Sequence, residues 1–330
     1  MEPDVSIVMP FRNAEQTLPE CLDSIREQSL RSWELIAVDD GSSDGSPALI
    51  DGDPRFRLLS PGRVGLVGAL NLGIDSSRAP LIARMDADDL MASARLGRQL
   101  EFLRAHPRVS LVATGVELFP EEEIQTGFRE YLRWQDGCVA PDAIAANIFV
   151  ESPFVHPTVM FRRSAEILYR EGPFPEDYEL WLRMHECGLS MGKIPEPLLR
   201  WRLRPGRATA TDPRYSRAAF DALRARFLAR DSRVSGAREL VIWGAGRRTR
   251  LRLRSLLSLG VSPSAWIDID PRKLGRTAEG RPVLGPDSLE RSPRPFVLVC
   301  VTSHGSREII SGRLERLGYR LGEDYLPVGI

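Results

Sequence analysis

Residues 5–13 read VSIVMPFRN and residues 33–46 read WELIAVDDGSSDGS. Each opens on a short apolar run, Val5–Met9 and Leu35–Val38, of the kind that fills a strand buried on both faces of a parallel sheet. Between them Leu18, Leu22 and Ile25 recur at i, i+4 and i+7 and mark one apolar helical face. Asn13, with Gln16 three residues on, is placed to cap that helix. Strand, helix and strand in this order begin a βαβ unit, and such a crossover joins parallel strands.

Outward from this unit the alternation continues. Arg55–Leu59 reads as strand, Val67–Ile74 as helix, Pro80–Met85 as strand, Leu96, Leu100 and Leu103 as a helical face, and Val109–Ala113 as a further strand. The expected fold is α/β, a mostly parallel sheet flanked by helices, with ligands beyond the carboxyl ends of the strands. Phe119–Ser152 breaks the rhythm with Glu121–Glu123, several aromatics and Pro141, and reads as an insertion or cover. Arg217–Arg230 reads as a terminal helix and the polar stretch Asp231–Arg238 as a linker. The expected division is therefore residues 1–236, with the terminal helix and linker in 213–236, and residues 237–330. In the latter, Leu240–Trp243, Ala265–Ile269 and Phe296–Val301 are strands of a second, smaller α/β unit.

A chain of 330 residues accommodates two such domains. Its 45 basic and 45 acidic residues cancel, so no global field recruits nucleic acid, and none is expected as a partner. Lysine occurs only at Lys193 and Lys273, so the positive charge is nearly all arginine, a bias that identifies no ligand. Cys21, Cys138, Cys187 and Cys300 lie too far apart for a Cys-x-x-Cys zinc or redox motif and are expected to be buried thiols. The opening MEPDVSIVMPF has neither a basic start nor a run of spanning length. A cytoplasmic location is expected, compatible with peripheral contact at the inner face of a membrane.

Three acidic segments carry the chemistry. VDDGSSDGS (38–46) ends a strand in Asp39 and Asp40 and continues in small turn residues, so Asp40 is placed either to accept hydrogen bonds from a nucleobase or to cap a turn. MDADD (85–89) sets three carboxylates directly after the apolar strand; like charges so close repel unless a cation or a cationic partner sits among them, and hard oxygen ligands select magnesium or manganese, the other reading being a solvated loop that caps the next helix. PEDYELWLR (175–183) puts Glu176 and Asp177 at a helix start, where the dipole favours the charged form; they read either as a general base or as an N-terminal charge pair with no substrate.

In order along the chain, IVMPFRN (7–13), VDDGSSDGS (38–46), ALNLGI (69–74) with ARMDADD (83–89), HPTVMFRR (156–163) and EDYELWLR (176–183) resemble the family-2 inverting glycosyltransferases of the GT-A fold. The resemblance covers roughly residues 4–205. It implies a nucleotide-sugar donor, a uridine diphosphate sugar above all, and a Mn²⁺ or Mg²⁺ cofactor. It also implies a glycan or lipid-linked glycan acceptor and single-sugar transfer with inversion. Carried over by position, Pro10, Arg12 and Asp40 would line the nucleoside pocket, Asp86 and Asp88 would form the Asp-x-Asp motif at the metal, and Asp177 would be the catalytic base with Glu176 in reserve. His156 falls at the acceptor side, and Trp134 is the aromatic best suited to stack on a sugar. The chain departs from the common pattern at Arg12, where many relatives carry Tyr, and at Pro197, where processive relatives carry Gln.

In the second unit, IWGAGRRT (242–249) places Gly244 and Gly246 between strand and helix, but Thr249 stands where a dinucleotide fingerprint has its third glycine. Asp268 ends the next strand, where a ribose-binding acid belongs. The segment resembles the Rossmann-like domains appended to sugar-modifying enzymes, and an NAD-type dinucleotide is not expected. The alternative to an enzyme is a nucleotide-binding regulatory or scaffold protein acting through this second unit.

Overall fold

The structure is a computed structural model and describes residues 2–165, 167–204, 211–301 and 305–329. Its internal contacts divide the chain into two units. The first comprises Met1–Pro141, Pro153–Gly172 and Glu176–Thr211; the second comprises Asp142–Ser152, Pro173–Pro175 and Asp212–Ile330. The helix Arg217–Leu228 and the helical turn Ser232–Ser235, which occupies the stretch read as a linker, group with the second unit.

The first unit is built on β1 (Val5–Phe11), β2 (Trp33–Asp39), β3 (Phe56–Leu59), β4 (Leu81–Arg84), β5 (Leu90–Met91), β6 (Val109–Phe119), β7 (Met160–Arg162) and β8 (Ser190–Arg202). They form one sheet in the order β3-β2-β1-β4-β7-β6-β8-β5. β3, β2, β1 and β4 are parallel, as are β6 and β8; β7 opposes both β4 and β6, and β5 opposes β8. Every residue of β1 and β2 is buried because both sheet faces are covered. Ile7, Met9, Leu35 and Ala37 share a core with Leu18, Leu22 and Ile25 of the helix Leu18–Arg26 and with Leu96, Leu100 and Leu103 of the helix Arg95–Ala105. On the opposite face Ile36 and Val38 meet Ala69 of the helix Gly65–Asp75. That helix lies so close to β1 that a Cβ on Gly73 would fall 2.5 Å from Val8 Cγ1, which only glycine tolerates.

One polar network is buried with this apolar framework. Ser6 Oγ donates to Glu34 Oε1 at 2.7 Å, and Arg78 reaches the same carboxylate through its backbone N–H and its Nε, both at 2.8 Å. Burial, which alone would raise the Glu34 pKa, is outweighed by these hydrogen bonds, and the carboxyl is held below its ordinary value.

The first turn departs from expectation. Asn13 does not cap the first helix; it sits at φ +51° and its Oδ1 accepts from Ser43 N at 2.8 Å, while Ser42 and Ser46 hydroxyls accept from Asn13 N and Ala14 N. The helix begins only at Leu18, after Thr17. The small residues of 42–46 compete successfully for the Asn13 side chain, so the two strand-end loops are stitched together.

After β6 come the helices Thr126–Gln135 and Pro141–Asn147. Buried Lys193 on β8 fastens this stretch: its Nζ donates to the Gln135 carbonyl at 2.8 Å, and its backbone N–H to that of Val139 at 3.1 Å. Cys21, Cys138 and Cys300 are buried, but Cys187 is exposed, because it falls at the turn just past the helix Glu176–Glu186.

The second unit holds β9 (Leu240–Trp243), β10 (Ala265–Ile267), β11 (Thr277–Ala278), β12 (Arg281–Leu284), β13 (Phe296–Val299) and β14 (Tyr325–Pro327) in the order β11-β12-β10-β9-β13-β14. All pairs are parallel except β11 with β12. The leucine-rich helix expected after Gly246 is two short ones, Arg247–Arg252 and Arg254–Ser258. The segment 142–152 joins this unit through Gly329 N–H on the Phe149 carbonyl at 2.9 Å and through buried Arg224, which donates to the carbonyls of Val150 at 3.1 Å and Gly329 at 2.6 Å. Among the described residues no helix is long and apolar enough to cross a membrane.

Burial lowers the Lys193 pKa from 10.5 to about 8. A group depressed in the folded state costs stability wherever it must be charged, so this cost is full below the folded value and disappears as pH rises to the unfolded value. Wild-type protein is therefore expected to gain up to about 3 kcal/mol from this group between about pH 8 and 10.5. Lys193→Met should lack that part of the rise in unfolding free energy with pH, as read by denaturant titration across this range.

Candidate active site

The carboxyl ends of three neighbouring strands place the acidic segments together. Pro10 of β1 pairs in register with Val38 and Phe11 with Asp39 of β2, while Val8 pairs with Arg84 at the end of β4. Asp40 N donates to the Phe11 carbonyl at 2.9 Å, and Met85 N to that of Val8 at 3.1 Å. Asp40 and the run Asp86–Asp89 thus leave the sheet on the same edge, one strand apart.

In that run the ligand oxygens of Asp86, Asp88 and Asp89 all lie within 4.8 Å of one another. Two cations already face them. Buried Arg84 sets Nη1 2.5 Å from Asp86 Oδ2, and Arg204 sets Nε 2.9 Å from Asp88 Oδ2. The first is a charge contact rather than a well-angled hydrogen bond, since Nη1 and Nε of Arg84 make none among the described residues. Burial opposes the Arg84 charge, but Asp86 outweighs it and holds the guanidinium above its ordinary value. Burial and Asp86 together raise Asp88, and the same causes with Asp88 added raise Asp89 further.

Asp89 is the member that sequence reading left out of the ligand set. It is 1% exposed; Oδ1 accepts from Arg202 N at 2.8 Å, whereas Oδ2 is buried with no hydrogen-bond partner among the described residues. An orphaned buried carboxylate oxygen beside two further carboxylates fits a hard divalent cation, whose oxygen ligands this trio would supply.

Across the site the helix Glu176–Glu186 starts with Glu176, which is buried, and Asp177, which is half-buried and accepts the Tyr178 N–H at 2.7 Å. Tyr169, a residue with no recognisable signal in the sequence, interacts electrostatically with both this helix start and the aspartate cluster. Burial raises its pKa, and its hydroxyl feels the charges of Arg84, Asp177, Glu176 and Asp86, so one phenol sits within electrostatic reach of both the cluster and the base candidates. His156 Nε2 is 2.8 Å from that hydroxyl, and burial followed by the Arg84 charge lowers the His156 pKa well below its ordinary value.

The remaining candidates are distributed unevenly. Asp40 Oδ1 accepts from Val64 N and Gly65 N, both at 2.7 Å, so it caps the start of the helix Gly65–Asp75 and only Oδ2 is left for a ligand. Pro10 is buried within β1 and Arg12 is exposed. Trp134 packs on Tyr131 at a centroid distance of 6.1 Å, and none of its described contacts is with the acidic cluster. In the second unit, Gly244 at φ +125° lets β9 approach β13 so closely that a Cβ would lie 2.1 Å from the Cys300 carbonyl oxygen. Asp268 accepts from Ala245 N at 3.0 Å, Lys273 Nζ at 2.9 Å and Asp270 N at 3.0 Å, so both its oxygens are engaged inside the unit. Gly246 caps a helix of only six residues.

Residues 6–165 match the profile of the family described as Glycosyl transferase family 2. The chain is 32% identical over 213 residues to the glycosyltransferase-type protein EpsE of Bacillus subtilis (strain 168), an alignment covering 61% of this chain and 73% of that one. It is 30% identical over 186 residues to WfgD of Escherichia coli, covering 54% and 68% respectively. That protein is named a UDP-Glc:alpha-D-GlcNAc-diphosphoundecaprenol beta-1,3-glucosyltransferase. Among solved structures, TarS residues 1–349 of S. aureus in complex with UDP-GlcNAc superpose with a TM-score of 0.54 at 15% identity, over 70% of this chain and 67% of that one, which is a likeness of fold.

Removing Arg84 would take the nearest positive charge from Asp86 and leave buried Asp89 with less compensation. Arg84→Met is expected to cost about 3–5 kcal/mol in chemical denaturation at neutral pH, with part of the loss recovered on adding Mn²⁺.

Proposed function

Because the chain belongs to glycosyltransferase family 2, we propose that it transfers a single sugar, with inversion and with a divalent cation, from a uridine diphosphate sugar to a hydroxyl of a glycan or lipid-linked glycan in polysaccharide biosynthesis. The observation that carries the reading is the Asp86, Asp88 and Asp89 cluster with its orphaned buried oxygen, on the strand-end edge also reached by Asp40. The uridine donor and lipid-linked acceptor are supported by the name of the WfgD relative.

In this reading Asp40 offers Oδ2 to the nucleobase, while Val64 and Gly65 fix its other oxygen. Asp86, Asp88 and Asp89 would hold Mn²⁺ or Mg²⁺, which when bound would supply a Lewis acid for the charge growing on the departing diphosphate. Arg204, which pairs with Asp88 and is more than half exposed, would have to give up that contact for Asp88 to serve as a metal ligand. Asp177 takes the proton of the acceptor hydroxyl as that oxygen attacks the anomeric carbon from the face opposite the leaving group; the glycosidic bond forms as the bond to phosphate breaks, and the configuration inverts. Glu176, buried behind it, is the second candidate for the base. A purely regulatory nucleotide-binding role for the second unit is disfavoured by Asp268, whose oxygens are already engaged by Ala245, Lys273 and Asp270.

Release of nucleoside diphosphate from a panel of nucleotide sugars in the presence of Mn²⁺ tests the proposal. Asp88→Ala is expected to lose about 100-fold or more of that turnover; full activity of this variant with metal chelated would overturn the metal assignment. Asp177→Asn should lose about 100- to 10,000-fold in kcat while calorimetric UDP affinity persists, and unchanged turnover would reject Asp177 as the base.

A further inference from the structure

Between the aspartate cluster and the base helix lies a set of contacts that the proposed chemistry does not use. Tyr169 is 3% exposed and its backbone is clamped by one side chain: Asn71 Nδ2 donates to the Tyr169 carbonyl and Asn71 Oδ1 accepts its N–H, both at 2.9 Å. The preceding carbonyl, of Leu168, accepts from Arg183 Nη2 at 2.6 Å, and Arg183 is paired with Glu179 on the base helix. The backbone at Tyr169 is therefore fixed both from the helix Gly65–Asp75 and from the helix Glu176–Glu186. Its hydroxyl meets His156 Nε2 at 2.8 Å, and the other ring nitrogen, Nδ1, stands 3.9 Å from Glu176 Oε1.

Burial and the Arg84 charge keep His156 neutral, so its ring carries one N–H. If that N–H were on Nε2, the Nδ1 lone pair would face the Glu176 carboxylate, two acceptors turned toward each other. With the hydrogen on Nδ1, the ring dipole points favourably at the carboxylate and Nε2 accepts from the Tyr169 hydroxyl. Burial with the nearby Asp177, Glu176 and Asp86 outweighs the Arg84 charge and keeps the proton on Tyr169, which leaves it able to donate.

We propose that Tyr169 and His156 are positioning residues for glycosyl transfer: the Tyr169 hydroxyl holds His156 as its Nδ1–H tautomer, and that N–H faces Glu176 and biases the direction of this carboxylate, the neighbour of Asp177 at the start of the base helix. The proposal rests on the reading of this chain as a transferase with its base at that helix start. At 3.9 Å the histidine acts on Glu176 as a dipole rather than through a hydrogen bond, so its effect is on direction.

Two measurements on the full chain test it. In nitrogen-15 NMR of the histidine rings, with the His156 signal assigned by its loss in His156→Asn, wild type is expected to show the Nδ1–H tautomer and Tyr169→Phe to lose that preference. In Mn²⁺-dependent hydrolysis of UDP-, GDP- and dTDP-sugars, with water as acceptor, Tyr169→Phe is expected to lower kcat about tenfold with the donor KM within about twofold. His156→Asn, whose amide N–H can face Glu176 from the place of Nδ1, should retain more kcat than His156→Leu; this pair decides the matter if Tyr169→Phe does not fold. An Nε2–H tautomer in the wild type, an undiminished kcat in Tyr169→Phe, or equal losses in the two His156 variants would overturn the proposal. Wild-type protein inactive on every donor would defeat the transferase reading instead, and the tautomer would still decide whether this hydrogen bond is as described.

Discussion

Three carboxylates within 4.8 Å of one another at the end of a buried strand are a liability unless opposite charge is built in, and the site is organised around that constraint. Arg84 supplies the nearest compensation from the last residue of β4, and Arg204 a more exposed one. Behind Arg84 a second buried guanidinium, Arg95, donates to the Arg84 carbonyl at 2.9 Å and to Gln99 at 3.1 Å. Burial lowers its pKa to about 9, and the Asp89 charge resists that lowering. The two inner arginines are buried within the fold, while the Arg204 side chain is more than half exposed.

The antiparallel strand in the middle of the sheet explains how residues far apart in sequence reach this cluster. A parallel strand ends at the ligand edge, and its antiparallel neighbour must therefore begin there. β7 follows this rule beside β4: Arg84 N donates to the Val159 carbonyl at 3.0 Å, and the one-turn helix His156–Thr158 lies immediately upstream. His156 is thus delivered to the strand-end edge by topology alone. β5 and β8 repeat the device, since Leu90 pairs with Arg200 and so brings Arg202 to the backbone of Asp88 and the side chain of Asp89.

The second unit shows a different economy. It gathers 142–152 and 173–175 from the middle of the chain around a parallel sheet made from its end. Arg224 is central to it: one buried guanidinium satisfies the carbonyls of Val150 and Gly329, which would otherwise be costly to bury. Gly329 is irreplaceable there on steric grounds, because a Cβ would lie 1.7 Å from the Val150 carbonyl oxygen.

Local sequence determined a good deal. The strand-length apolar runs of β1, β2 and β4 suit burial on both faces of a parallel sheet, and Leu18, Leu22 and Ile25 at i, i+4 and i+7 suit one face of a helix. The acids trailing those strands were legible as a site because parallel strands put their carboxyl ends on one edge. Tertiary structure alone decided the rest. Asn13 was drawn away from its helix by the serines of a loop about 30 residues distant, and Asp40 was half consumed in capping the helix at Gly65. Asp89 gained an orphaned oxygen, and Tyr169, unremarkable in the sequence, came to stand among Arg84, Asp86, Glu176 and Asp177. Such outcomes depend on which distant donor or charge the fold brings to a polar atom, and a periodicity in the chain carries no information about distant neighbours.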